Sequence, residues 1–265
     1  MTPFHAILLG IIQGLSEFLP ISSSGHLILL PWVLHFEDPG LTFDVALHFG
    51  TLLALLLYFY KDWWRLGQAW VRSLKKNPKN YGYEEKMIWY LILSTIPGVI
   101  GGLCLEDYAE TIFRSPILIA TQLALAGILL AVIDRYLPQS RTMKDMKLKD
   151  GLLIGTAQVL ALIPGTSRSG ITITMARGLK IDRVSAARFS FLLSTPITAG
   201  AVVLKLKDFH PDFNATLAII MSALSGMLAI KYLLYFIQKY SYRIFAYYRV
   251  VIAVLILIGV FVFGK

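Results

Sequence analysis

Nearly unbroken apolar runs of roughly twenty residues occur six times along the chain, over 42–60, 87–104, 117–134, 184–204, 215–238 and 246–263. A helix of that length crosses the hydrocarbon core of a bilayer, about 30 Å thick at about 1.5 Å per residue. The glycines and prolines inside these runs are compatible with spanning helices. Two further apolar segments read differently. Residues 4–34 are interrupted by Glu17, Pro20, a serine run, Gly25 and His26, and residues 151–180 by Pro164-Gly165-Thr166-Ser167-Arg168-Ser169-Gly170. Polar groups and irregular backbone at bilayer depth need protein partners, because lipid offers none. The pattern predicts an all-α integral membrane protein with about six spanning helices and two broken re-entrant helical hairpins.

Three predicted spans separate the hairpins, and an odd number of crossings brings the second hairpin in from the opposite side. The expectation is an inverted-topology repeat, with repeat one about 1–134, repeat two about 150–265 and a basic cytoplasmic linker about 135–149, all in one polytopic domain over 1–265. Folds of this kind set their sites near the bilayer midplane. The 56% hydrophobic composition agrees with a chain committed almost wholly to membrane.

The net charge of +9 changes the picture only by setting orientation. It does not point to nucleic acid, because the basic residues sit in loops and at helix ends rather than along one soluble face. Loop 61–86 holds seven Lys or Arg, 135–149 five and 177–188 four, whereas 105–116 has Arg114 alone beside Glu106, Asp107 and Glu110. The positive-inside rule puts the basic loops in the cytoplasm and both termini outside. Trp63, Trp64 and Trp70 flank the first basic loop and read as headgroup-level anchors. The first residues lack a basic n-region and a small-residue cleavage pattern, so the first apolar stretch is expected to stay in the mature protein. The lone Cys104 allows no intramolecular disulfide and reads as packing.

Two tracts 145 residues apart repeat one another. Gln13 precedes the glycine of Ser22-Ser23-Ser24-Gly25 by twelve residues, Gln158 precedes that of Ser167-Arg168-Ser169-Gly170 by twelve, and Gly10 and Gly155 stand three residues before each glutamine. Close helix packing by small residues accounts for the glycines and serines. It gives no reason for Glu17, His26 and Arg168, each costly to bury, to fall at the breaks. Arg168 opens a helix in a loop that offers a guanidinium fork, hydroxyls and unpaired amides together, which suits phosphate; the structural alternative is a simple pair with Glu17. Glu17 lies four residues after Gln13, so both project from one helix face and together can hold a cation or a water. His26 can attack phosphorus, activate Ser23 or water, or protonate a leaving oxygen. Ser22, Ser24, Thr166, Ser167 and Ser169 read as phosphate ligands or helix caps. Asp44 and His48, another i,i+4 pair, rank second as a metal or proton site, and Asp134 at the end of its span reads as interfacial.

At these residues the chain resembles the bacterial undecaprenyl-diphosphate phosphatase family, often called the bacitracin-resistance protein family. The resemblance is carried by Gln13 to Glu17, by Pro-Ile-Ser-Ser-Ser-Gly-His at 20–26 and by Pro-Gly-Thr-Ser-Arg-Ser-Gly at 164–170, and extends through nearly the whole chain. It implies hydrolysis of a phosphorus-containing anhydride: the polyprenyl diphosphate released during cell-wall polymerisation gives the monophosphate carrier and inorganic phosphate. It also implies a multi-pass protein of the bacterial cytoplasmic membrane, a divalent cation, Mg2+ or Ca2+, and a site open to the outer side. By position, Glu17 resembles the essential carboxylate, Ser23 and His26 the nucleophile and base region, and Arg168 the diphosphate-binding arginine. Gln13 stands where some relatives carry a second glutamate, so a metal would rest on Glu17, Gln13 and substrate oxygens. The attacking atom, Ser23, His26 or water, stays open. Inverted repeats around a polar site suit lipid-phosphate transport equally well. Membrane lipids are the expected surroundings, and no motif decides for or against a homodimer.

Overall fold

In the computed structural model, which describes residues 1–110, 115–205 and 212–263 with the side chains of 106–110 and 263 excepted, the chain is all helix and turn apart from an isolated Arg141–Ile181 bridge. Six helices are long and apolar enough to cross a membrane. They are α3 (Leu41–Tyr58), α5 (Tyr83–Glu110, apolar over Tyr83–Leu105), α6 (Pro116–Tyr136), α9 (Arg183–Lys205), α10 (Phe213–Phe236) and α11 (Arg243–Phe263, apolar to Val262). Each coincides with one of the predicted apolar runs. Arg114 and the side chains of Glu106, Asp107 and Glu110 lie outside the described residues.

The two interrupted segments are both broken helical pairs. The first is α1 (Pro3–Phe18) with α2 (Ser23–Leu34), the second α7 (Leu148–Ala157), a 3-10 turn over Gln158–Leu162, and α8 (Arg168–Gly178). The same covalent feature ends the first arm of each. A residue before proline is pushed out of the α region by the ring. Leu19, ahead of Pro20, sits at φ −67°, ψ 138°, and Ile163, ahead of Pro164, at φ −83°, ψ 114°. The second arms then start from Ser22 and Ser167, whose φ values of 76° and 71° turn the chain sharply.

Helices in lipid gain little from the hydrophobic effect and pack through small residues instead. Gly10 and Gly14 let α1 lie against the backbone of α10. A Cβ at Gly10 would collide with the Ala218 carbonyl oxygen, and one at Gly14 with the Ser222 carbonyl oxygen and Ser225 Oγ. In the second hairpin, Gly155 bears the same relation to the Ser94 carbonyl of α5. The central core adds Phe18, Phe59 and Phe191, with Phe18 edge-on to Phe191 at 5.4 Å between centroids.

One expectation needs correction. The basic stretch 61–86 is not simply a loop, because Tyr60–Ser73 forms a helix, α4, whose inner face packs on the bundle. Its apolar spacing is helical rather than irregular, and the high charge of the stretch masks that. Asp134, at the end of its span, is enclosed by protein. It is buried and accepts from Arg177 Nε at 3.0 Å, from Arg183 Nε at 2.8 Å and from the Tyr242 amide at 3.0 Å. A carboxylate at the end of a span satisfies its burial this way, through paired and hydrogen-bonded cations.

Candidate active site

The breaks of the two hairpins meet in the interior. Ser22 Oγ caps its own helix by accepting from the Gly25 amide at 3.4 Å, and also accepts from the Gly165 amide of the other hairpin at 3.0 Å. Ser167 Oγ caps α8 from the Gly170 amide at 3.1 Å. Arg249 of α11, fully buried, clamps the same junction. Its Nε donates to the Leu123 carbonyl at 2.9 Å, its Nη1 to Pro20 at 3.2 Å, and its Nη2 to Gly165 at 2.8 Å and Thr166 at 3.0 Å. A planar fork of five donors is what lets one side chain hold carbonyls from both loops at once.

Within this frame, Glu17 collects most of the polar contacts. Its Oε2 accepts from Ser23 Oγ at 2.6 Å and from Gln13 Nε2 at 3.2 Å, and its Oε1 accepts from Arg168 Nη2. Arg168 Nη1 donates to Thr198 Oγ1 and to the Ser194 carbonyl, each at 3.1 Å. His48 Nδ1 lies 2.9 Å from Gln13 Nε2 and 3.4 Å from Glu17 Oε2. The Gln13 nitrogen must face the carboxylate, so Nδ1 of His48 accepts from it and the imidazole proton is assigned to Nε2. A cavity of about 230 Å3 opens beside these groups, with Glu17, Ser23, His48, Gln158, Arg168 and Thr198 in its wall. It has room for several waters or a phosphate group.

Not every expected residue comes to this cavity. Ser22, Ser24 and Ser167 line it, but Thr166 Oγ1 donates to Gln122 Oε1 at 3.3 Å, and Ser169 Oγ to the Leu19 carbonyl at 3.3 Å. His26 is not brought beside Glu17. Its Nδ1 lies 2.7 Å from the Ser22 carbonyl oxygen and its Nε2 2.7 Å from Tyr248 Oη, and it faces a separate apolar cavity of about 610 Å3 between α1, α10 and α11. The start of α2 explains this. Ser23 and His26 are three residues apart, but the turn at Ser22 aims Ser23 back at Glu17 while the His26 backbone amide is tied to the Ser22 carbonyl.

The matching tracts extend far beyond the site. The model of the family described as bacitracin resistance protein BacA matches residues 6–255. The chain belongs to the BacA family. Among curated relatives, a protein named undecaprenyl-diphosphatase from Gemmatimonas aurantiaca is 48% identical over 261 residues, 97% of both chains. Proteins of the same name from Moorella thermoacetica and Pelotomaculum thermopropionicum are 49% identical over 97% of both chains and 46% identical over 100% of both.

For this BacA-family chain, the donor set can be tested against a divalent cation. Among the described residues no cluster of three or more His, Cys, Asp or Glu side chains occurs, so an all-protein cage is absent there. Gln13 Oε1, however, is buried with no hydrogen-bond partner, one helical turn from the Glu17 carboxylate. A neutral amide oxygen and a carboxylate are hard donors of the kind Mg2+ and Ca2+ accept when phosphate oxygens complete the shell. The residues fit a cation that arrives with or is finished by its anionic ligand.

Arg249 and Thr198 carry no repeat or motif that marks them in the sequence, and His48 is paired there with Asp44 rather than with Glu17. An arginine inside the 246–263 apolar run was a readable signal, since a charge at that depth demands partners. The meeting of His48 with Gln13 depends on how α3 crosses α1, which no local pattern encodes.

Proposed function

We propose that the chain hydrolyses undecaprenyl diphosphate to undecaprenyl phosphate and inorganic phosphate, in the cytoplasmic membrane of a bacterium and from a site open to the outer side. The observation that carries this reading is the 2.6 Å hydrogen bond from Ser23 Oγ to Glu17 beside the Arg168 guanidinium, in one cavity at the junction of the two hairpins. A hydroxyl donating to a carboxylate is a nucleophile with its base in place. An adjacent arginine supplies the fork that phosphate oxygens accept.

The diphosphate binds with its terminal phosphate on Arg168, which Thr198 and the Ser194 carbonyl hold from behind. Phosphate on the guanidinium releases Glu17 from the ion pair and leaves its carboxylate to Ser23. Ser23 Oγ attacks the terminal phosphorus, its proton passes to Glu17, and the bond from phosphorus to the bridging oxygen breaks, so that the lipid monophosphate departs. Glu17 gives that proton to the departing lipid monophosphate and, ionised again, takes one from a water whose oxygen attacks the seryl phosphorus. The bond from phosphorus to Ser23 Oγ breaks, Glu17 returns the proton to Oγ, and inorganic phosphate leaves. Gln13 and His48 orient the carboxylate throughout. Glu17 and Gln13 Oε1 are the residues that would hold a divalent cation, which when bound would supply charge neutralisation of the diphosphate. The halves of the chain are related as inverted-topology repeats in this reading, supported by the shared proline breaks and serine caps.

Phosphate release from a C55 prenyl diphosphate by purified protein in detergent, with magnesium, calcium or chelator, tests the proposal. Wild type releases phosphate, and Ser23→Ala and Arg168→Ala each lose on the order of 10³-fold. Folded wild type that releases none under any metal condition sinks it, because transport of lipid phosphate leaves no product in detergent.

A further inference from the structure

Helix α4 presents three faces, where a helix lying between water and a protein core needs two. Successive residues turn by about 100°. Leu66, Ala69 and Ser73 are buried and form the face against the bundle. Tyr60, Trp64, Val71 and Leu74 share a second arc, and all four are exposed, Trp64 by 71% and Leu74 by 62%. Lys61, Arg65 and Arg72 fall on a third arc beside it.

The acidic neighbours of α4 do not serve these cations evenly. Arg72 Nη2 pairs with Glu84 at 3.1 Å, Lys76 Nζ with Glu85 at 3.4 Å, and Asp62 is taken by Arg188 at 2.8 Å. Among the described residues no acidic side chain pairs with Lys61 or Arg65; Lys61 lies only over the Tyr60 ring, 5.6 Å from its centroid. These two cations border a groove of about 700 Å3 whose other walls include Leu56 and Trp64. Helix α4 begins two residues after α3 ends at Tyr58, so the groove lies where a spanning helix leaves the hydrocarbon.

We propose that this groove binds the headgroup of an anionic phospholipid of the surrounding leaflet, with the phosphate on Lys61 and Arg65 and the acyl chains over Leu56 and Trp64. Charge complementarity selects the occupant. Two uncompensated positive charges at the rim of an apolar slot match a lipid whose headgroup keeps a net negative charge, and a zwitterionic headgroup cancels its own phosphate. An exposed apolar arc on a helix that runs on from a span is satisfied by acyl chains and not by water.

Purified full-length protein in nanodiscs of phosphatidylcholine with added phosphatidylglycerol provides the test, with brominated chains placed on one lipid class at a time. The signal is the part of the tryptophan emission lost in Trp64→Phe. Brominated phosphatidylglycerol is expected to quench that part at a roughly twentyfold lower mole fraction than brominated phosphatidylcholine. Lys61→Gln and Arg65→Gln each reduce the preference by about fivefold, and the preference weakens in high salt. Equal quenching of wild type by the two lipids overturns the proposal without any basic-site variant, as does a preference that survives in the double variant.

Discussion

Ser22 and Ser167 share a left-handed backbone, at φ 76° and 71°, and each accepts the amide of the glycine three residues on through its own Oγ. The positions that follow them, Ser23 and Arg168, are therefore launched from equivalent frames, one toward Glu17 as a hydroxyl donor and the other as a guanidinium. Duplicated backbone carries unlike chemistry. The glutamines diverge in the same way. Glu17 follows Gln13 by four residues, whereas Leu162 holds that place after Gln158, whose Nε2 donates to the Ser94 carbonyl at 2.9 Å. One half supplies the carboxylate and the other the cation.

Ser22 does more than its counterpart, since its Oγ also takes the Gly165 amide. Ser22→Ala removes a cap and leaves that buried amide unpaired, and about 1–2 kcal/mol of stability is expected to go with it. Ser22→Gly loses the same oxygen but relieves the positive φ, so it should be the milder change. Unfolding of both variants in mixed micelles under increasing SDS orders them. An alanine variant as stable as wild type contradicts the bridging role.

The Glu17–Arg168 pair is buried on the carboxylate side and only partly exposed on the other. Removing one partner strands a charge, so Glu17→Gln and Arg168→Gln each destabilise by about 3 kcal/mol. The double variant Glu17→Gln/Arg168→Gln is expected to recover most of that stability and none of the phosphatase activity. Thermal unfolding of the four proteins beside their turnover separates a structural pair from a catalytic one. Recovery of turnover in the double variant is the result that defeats the catalytic assignment.

His48 needs only to accept from Gln13 Nε2 at 2.9 Å to hold the network together. A glutamine there offers an amide oxygen at similar reach, and an alanine offers nothing. His48→Gln is expected to stay within about tenfold of wild-type turnover, and His48→Ala to lose about 10–100-fold, the usual range for a residue that orients another. The pH profile sharpens the reading. Were the imidazole itself the proton carrier, the glutamine variant would fall with the alanine one.

Much of this arrangement is written locally. The six spans follow from apolar run length, and both breaks follow from Pro20 and Pro164 acting on the residue before them. Glu17 and Arg168 stand out because a charge at bilayer depth is costly to bury, whereas Ser23 stands out by its place in the repeated tract, since packing alone accounts for a serine. Local pattern does not encode contacts that depend on how helices cross. His26 lies three residues from Ser23, yet its Nε2 meets Tyr248, more than two hundred positions away. Spacing places His48 one turn from Asp44 on its own helix, and its contacts with Gln13 and Glu17, which cross to α1, have no such local signal. The partners of Asp134 are likewise not local, since Arg177 and Arg183 close over it from beyond its own helix.

Arg249 tests whether the two hairpins form one rigid cradle. Its donors reach carbonyls on both breaks and on α6, which a lysine ammonium with three donors on a flexible stem cannot reproduce. Arg249→Lys keeps the charge and leaves several buried carbonyls unsatisfied, each worth about 1–3 kcal/mol. Lower unfolding temperature and a fall in kcat larger than the rise in KM are the expected pair of effects, because the residue touches the loops rather than the cavity. A variant that loses binding alone, with kcat and stability intact, places Arg249 on the substrate and breaks the cradle argument.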